Sequence, residues 1–223
     1  MSDFFTKNSI KGVIFDCDGV LVDSEVLSCN ALNVIFEKHF KIDIGNDYSP
    51  VIGKSVIDGI NYYISKHKIS VPASLDITKL GEEKDETFMS LARDTLKSFP
   101  GVIILLEYLQ TEKISKCVAS SGSLEKITFN LQETKLLKYF EIISSSQEVI
   151  KGKPNPDLFL LSAKKMNLRP EECVVIEDSV MGIKGAKAAH MMAVGVTTSF
   201  KKDDLLLAGA DVIITRVDDL LTI

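Results

Sequence analysis

The sequence predicts an α/β protein: a doubly wound parallel-sheet core with a small α-helical block inserted into it. Three observations predict this. A short apolar run, Ile10 to Phe15, breaks abruptly into acidic residues. Residues 25–98 then carry apolar side chains at helical spacing, and from Pro100-Gly101 onward strand and helix patterns alternate to the end. Alternation of this kind specifies a parallel sheet covered by helices on both faces. The economical assembly is one α/β domain made of residues 1–24 and 99–223, with residues 25–98 as a helical cap inserted after the first strand.

The first element reads as a buried strand that delivers Asp16 and Asp18 at its C-terminal end. Residues two apart in extended chain face the same side, so these carboxylates converge unless the backbone turns between them. Two close carboxylates call for a nearby cation or a shared proton. An EF-hand loop is excluded, because Gly19, Val20 and Leu27 stand at the fourth, fifth and twelfth positions counted from Asp16. A lone Asp-Gly pair can also be a solvated turn, and here the position after a strand raises the pair above that.

The helical block follows, with Val26, Leu27, Ala31, Val34, Ile35 and Phe36 at helical spacing, then Val56, Ile60, Tyr63 and Ile64, then Ile77, Leu80, Phe88 and Leu91. The whole of 25–98 is expected to be helical. The charged run from Glu82 to Glu86 reads as a solvated face, although Lys84 falls on the apolar stripe between Leu80 and Phe88. It either snorkels to water or reaches a ligand. In the core, helices are expected at 102–109, 124–131, 156–166 and 180–189, and strands at 116–119, 141–143, 173–176, 192–196 and 211–214. An insertion after the first strand hangs over the C-terminal sheet edge, where α/β folds place ligands, so the block reads as a lid with hinges near Asp23-Ser24 and Ser98-Gly101.

Composition narrows the partners. The 223 residues are 45% hydrophobic and 26% charged, with a formal net charge of -5, which argues against nucleic acid or an anionic membrane as partner. No apolar run approaches a membrane span, and the N-terminal stretch has no leader pattern, so a cytoplasmic monomer is expected. The cysteines at 17, 29, 117 and 173 form no C-x-x-C pair and are expected as free thiols. The three scattered histidines suggest neither a triad nor a zinc site.

Polar residues at the ends of the later strands form a set. Ser120-Ser121-Gly122-Ser123 follows a strand and opens a helix, which suits a phosphate but also caps many helices. Lys153 follows Gly152 and precedes Pro154-Asn155-Pro156, with Asn155 an expected N-cap. Glu177 and Asp178 end the strand that starts at Cys173. With Asp16 and Asp18 they place four carboxylates at one edge, which demands a cation, and an oxygen-only donor set points to magnesium.

These segments, Asp16-Cys17-Asp18-Gly19-Val20, Val118-Ala119-Ser120-Ser121, Gly152-Lys153-Pro154-Asn155-Pro156-Asp157 and Ile176-Glu177-Asp178-Ser179, resemble in order the motifs of the haloacid dehalogenase superfamily of phosphohydrolases, with a Rossmann-like core and a helical cap. The resemblance implies Asp16 as nucleophile, forming an aspartyl phosphate, and Asp18 as general acid and then base. It implies Ser120, the Ser121 amide and Lys153 as phosphate ligands. Mg2+ would be held by Asp16, the Asp18 carbonyl and Asp178, with Glu177 binding directly or through water. Within the superfamily the chain is similar to sugar-phosphate phosphatases and β-phosphoglucomutase. Ser28 stands where the mutase pattern has histidine, and Gly53-Lys54-Ser55-Val56 where it has an arginine, which favours hydrolysis of a small phosphorylated metabolite. Lys54 and Lys84 are candidate cap contacts to that substrate. A phosphomutase and a non-catalytic phospho-receiver or binding module are the alternatives.

Overall fold

The computed structural model describes residues 3–45 and 48–223; Met1 and Ser2, where the N-terminal stretch read for a leader begins, lie outside the described residues, as do Asn46 and Asp47 of the expected helical block. Six strands, β1 (Gly12–Phe15), β2 (Ser115–Ser120), β3 (Ile143–Ser145), β4 (Cys173–Glu177), β5 (Met192–Val196) and β6 (Val212–Ile214), form one parallel sheet in the order β3-β2-β1-β4-β5-β6. The order reverses between β1 and β4, the switch point outside which open α/β sheets bind ligands. Phe15 pairs with Val118 on one side and Ile176 on the other. Hence Asp16, Ser120, Glu177 and Asp178 arrive at the same edge.

Nine helices are described: α1 (Asp3–Lys7), α2 (Glu25–Phe40), α3 (Val56–Lys66), α4 (Ile77–Ala92), α5 (Val102–Thr111), α6 (Leu124–Glu133), α7 (Asp157–Lys165), α8 (Val180–Ala188) and α9 (Lys202–Ala208). The strands alternate between the two sheet faces, as their pleat requires. Val13, Phe15, Val118, Val174 and Ile176 enter one apolar cluster with Leu105 and Leu106 of α5 and Ile127 and Leu131 of α6. Ile14, Cys117, Ala119 and Val175 enter another with Phe159 of α7, Ile183 of α8 and Leu205 of α9. Helices on both faces give the doubly wound layering read from the alternation.

Helices α2, α3 and α4 enclose a third cluster of Leu32, Ile35, Phe36, Ile60, Tyr63 and Leu80. The chain leaves and re-enters the core through two adjacent segments. The Asp23 N–H donates to the Lys97 carbonyl at 2.9 Å and the Phe99 N–H to the Leu21 carbonyl at 3.0 Å.

Several local expectations need correction. Residues 25–98 are not continuously helical: the chain leaves the helix after Phe40 and after Lys66. Pro50 and Pro72 stand in the two intervening stretches, and Gly45 and Gly53 adopt positive φ of 73° and 78°. β3 lies two residues later than expected, because its Ser144 and Ser145 are fully buried polar residues that look like loop. α9 was not foreseen, since seven residues are too few to establish a helical period. Asn155 is not the N-cap of α7. Pro156 takes that place, and Asn155 Nδ2 instead donates to the Gly152 carbonyl at 3.0 Å, bracing the loop that carries Lys153.

Candidate active site

At the sheet's C-terminal edge Asp16 is 7% exposed, Glu177 0% and Asp178 2%. One ammonium serves two of them. Lys153 Nζ lies 2.5 Å from Asp16 Oδ1 and 2.6 Å from Glu177 Oε1, donates to the Ala119 carbonyl at 3.3 Å, and stands over the Phe159 ring. Burial pushes the Lys153 pKa down, but its two carboxylate partners outweigh that and raise it, so it stays charged. The Asp16 pKa rises as well, which disfavours its charge: burial and the nearby Glu177 and Asp18 outweigh Lys153 and push its carboxyl up to about 7. Asp178 is likewise raised, by burial and then by Glu177 and Asp16.

Asp18 has a separate environment. The backbone turns after Phe15, so the two aspartates do not share a partner. Lys126 Nζ lies 2.8 Å from Asp18 Oδ2, Asn130 Nδ2 donates to Oδ1 at 3.2 Å, and the Ser24 hydroxyl also donates to Oδ1. Burial opposes ionisation of Asp18, yet Lys126 and these hydrogen bonds prevail and lower its pKa. Two carboxylates two residues apart are thus pushed in opposite directions, Asp16 towards the protonated form and Asp18 towards the ionised form; a divalent cation beside Asp16 would draw its pKa back down.

The expectation that the acids require a cation is met in part by lysine. The sequence points to neither lysine in that role: Lys153 is expected as a phosphate ligand, and Lys126 and Asn130, four apart on the inward face of α6, fall simply within an expected helix. The signal was present, since a Lys and an Asn sit on the same stripe as Ile127 and Leu131. Ser24 was placed as a hinge and in addition holds Asp18.

The donor set fits a divalent ion. Asp16, Glu177 and Asp178 are three buried carboxylates beside one ammonium, and the raised carboxyls of Asp16 and Asp178 register the imbalance. Asp16, Asp178 and the Asp18 carbonyl could hold magnesium, a hard cation that takes one or two carboxylates and keeps several waters. Among the described residues no three acidic, histidine or cysteine side chains converge as a metal-ligand group. Glu177 is engaged otherwise: Oε1 faces Lys153, and Oε2 accepts from the Ser179 amide and hydroxyl, both at 2.8 Å. Close packing enforces both positions. A Cβ on Gly19, at φ +80°, would lie 1.8 Å from Asp178 Oδ2, and one on Gly182 would lie 1.8 Å from Glu177 Oε1.

Asp16, Asp18, Ser120, Ser121 and Asp178 line one cleft with Lys54, Lys84, Ser28, Tyr48 and Asp85 of the helical block, about 850 Å³ including its open mouth. Lys153 and Glu177 lie just behind its wall. Ser120 is buried, its hydroxyl accepting from the Gly122 amide at 3.1 Å. Ser121 Oγ reaches across to the Gly53 carbonyl at 2.9 Å. Lys54 Nζ lies 5.3 Å from the centre of the Tyr62 ring. The solvated-face reading of residues 82–86 fails at its centre, because Lys84 and Asp85 are buried between block and core. Lys84 Nζ donates to Ser28 Oγ at 2.7 Å, and burial and Lys126 push its pKa down to about 8.

The arrangement brings together a buried carboxylate beside an ammonium, a second carboxylate held apart from it, and further buried oxygen donors, a combination that phosphoryl transfer can use. Comparison with known proteins agrees. Residues 13–196 match the model of the haloacid dehalogenase-like hydrolase family. A phosphorylated carbohydrates phosphatase of Thermotoga maritima is 29% identical over 215 residues, 96% of this chain and 98% of that protein. A β-phosphoglucomutase of Bacillus subtilis is 31% identical over 221 residues, 95% and 92%. The crystal structure of a variant of CbbY from Rhodobacter sphaeroides, in complex with xylulose-(1,5)bisphosphate, superposes with a TM-score of 0.83 at 25% identity, over 94% of this chain and 96% of that one. The chain therefore belongs to the haloacid dehalogenase-like hydrolases and, within that family, is a phosphoric monoester hydrolase.

Proposed function

We propose that this hydrolase is a magnesium-dependent phosphatase of a small sugar or polyol phosphate, working through an aspartyl phosphate on Asp16, with residues 25–98 as its cap. The observation that carries the reading is the opposite treatment of the two aspartates within one cleft: Asp16 packed against Lys153 and Asp178, Asp18 held apart by Lys126, Asn130 and Ser24. Asp16 attacks phosphorus, forming the Oδ–P bond as the ester P–O bond breaks. Asp18, whose pKa the like charge of a bound phosphate dianion raises so that it takes up a proton, gives that proton to the leaving oxygen, then takes one from the water that attacks the aspartyl phosphate, releasing inorganic phosphate and restoring Asp16. Such acid/base assistance contributes ~10²–10⁴-fold. Ser120, the Ser121 amide and Lys153 orient the phosphoryl oxygens. Magnesium, held by Asp16, Asp178 and the Asp18 carbonyl, would offset the repulsion between carboxylate and phosphate. Glu177 serves by fixing Lys153 and would support the ion directly or through water. Lys54 and Lys84 face the leaving group.

Hydrolysis rather than isomerisation is favoured by Ser28, which accepts from Lys84 where the mutase pattern has a histidine. The 31% identity to a β-phosphoglucomutase supports a mutase as second reading. The free cysteines, and the lack of any described helix long and apolar enough to cross a membrane, support the cytoplasmic reading; a monomer is proposed with it.

Release of inorganic phosphate from a panel of sugar, polyol and nucleotide phosphates tests the proposal. Chelation of divalent ions and Asp16→Asn are each expected to abolish it. Activity surviving both would refute the mechanism. Isomerised sugar phosphate with little free phosphate, dependent on a bisphosphate, would establish the mutase.

A further inference from the structure

Asp85 is the least explained charge in the cleft. It lies on α4 and is 7% exposed. Its Oδ2 accepts from the Ser123 hydroxyl at 2.7 Å. Its Oδ1 is buried and forms an ion pair with Lys84 Nζ at 3.5 Å but accepts no hydrogen bond of good geometry, the ammonium donating at 2.7 Å to Ser28 instead. A second polar atom on the same wall has the same property: the Tyr48 hydroxyl is buried with no hydrogen-bond partner. Both residues line the cleft that holds Asp16 and Asp18. Buried polar atoms without partners are rare in folded proteins, and a missing ligand is one of the few explanations.

The chemistry of the pair selects the ligand. A carboxylate oxygen accepts hydrogen bonds and donates none, whereas a phenol does either. A carboxylate or second phosphate on the substrate would face Asp85 with like charge, and an alkyl chain would leave both atoms orphaned. Aliphatic hydroxyls satisfy both. We propose that Asp85, with Tyr48 lining the same cleft, is a specificity-determining residue that accepts a hydrogen bond from a hydroxyl of the leaving group and so selects polyhydroxylated phosphate esters. This rests on the reading of the chain as a sugar or polyol phosphatase and assigns its selectivity to named atoms.

The test separates binding from turnover. In an Asp16→Asn background, with magnesium present, the affinities for sorbitol 6-phosphate, n-propyl phosphate and inorganic phosphate are measured by calorimetry with and without Asp85→Ala. Loss of one hydrogen bond to a charged acceptor is expected to weaken the hexitol phosphate by about 10- to 100-fold, while the two ligands without hydroxyls stay within about 2-fold. Asp85→Asn, which keeps an acceptor oxygen, should restore part of the loss. Equal weakening of all three ligands would assign Asp85 to cap closure through Ser123 and overturn the proposal, as would unchanged hexitol phosphate affinity. If the binding pattern holds but the wild-type chain releases no phosphate from the same ester, the hydrolytic reading fails and the recognition role stands.

Discussion

Gly19 is the residue on which the site's tolerance is narrowest. Its positive φ and the 1.8 Å approach of a Cβ to Asp178 leave no room for a side chain. Gly19→Ala is therefore expected to displace Asp178, lowering kcat by about 10²-fold and stability by roughly 1–3 kcal/mol; steady-state phosphate release and urea unfolding measure both, and near-wild-type values in each would contradict this packing. Lys84 offers a pH test. Its pKa falls from 10.5 to about 8 on folding, through burial and then the proximity of Lys126. Below pH 8 both folded and unfolded chains carry the proton, and the full cost of the buried ammonium is present. Between pH 8 and 10.5 the unfolded chain binds a proton that the folded chain has released, so stability rises with pH. Relative to Lys84→Met, the wild-type chain should gain about 3 kcal/mol across that window. Urea titrations at pH 7.5 and 10.5 would show it, and a pH-independent difference would contradict it.

Among the elements, α6 links the cap to the acid/base. Ser123 Oγ accepts from the Lys126 amide at 3.2 Å, capping the helix, while donating to Asp85 of α4. Along the same helix Lys126 and Asn130 hold Asp18, and Lys126 also lies 4.7 Å from the centre of the Phe88 ring of α4. Ser123→Ala should cost about 1 kcal/mol as a lost cap and lower kcat more than kcat/KM for the free enzyme would require from destabilisation alone; chemical denaturation and initial rates at saturating substrate check the two parts. A loss confined to stability would make Ser123 a cap only. The period of α6 was legible from Ile127 and Leu131, and the strand ends were legible from apolar runs stopping at acids or serines. Their polar partners were not: a lysine on a helix is usually solvent-facing, and only the sheet behind α6 turns Lys126 inward to Asp18.

For the whole molecule, the two crossings between core and helical block are adjacent and joined by backbone hydrogen bonds at 21–23 and 97–99, so they can bend together. The block touches the core through polar contacts, Ser121 with Gly53 and Ser123 with Asp85, and through an apolar seam in which Ala31, Phe88 and Ala92 join Ile127 and Leu131, with Phe88 edge-on to Phe129. A block carried on two adjacent crossings is expected to open and close around substrate. Small-angle scattering of Asp16→Asn should show compaction when sorbitol 6-phosphate and magnesium are added; identical curves with and without ligand would contradict a moving lid.

Local patterning by itself determined the parallel α/β core, the insertion of a helical block after the first strand, and the acidic, serine and lysine stations at the sheet's edge. Those features follow from apolar period and from where strands must end, both local properties of chain. The resemblance carried by four motifs then supplied the roles of Asp16, Asp18, Ser120, Lys153 and Asp178. Only the tertiary structure decided which charges meet. Lys153 joins Asp16 to Glu177, Lys126 claims Asp18 from 108 residues away, and Lys84 and Asp85 turn from an apparent solvated face into the cleft wall. Ion pairing and burial are long-range consequences of packing, and two residues with identical local patterns diverge once one of them faces a sheet.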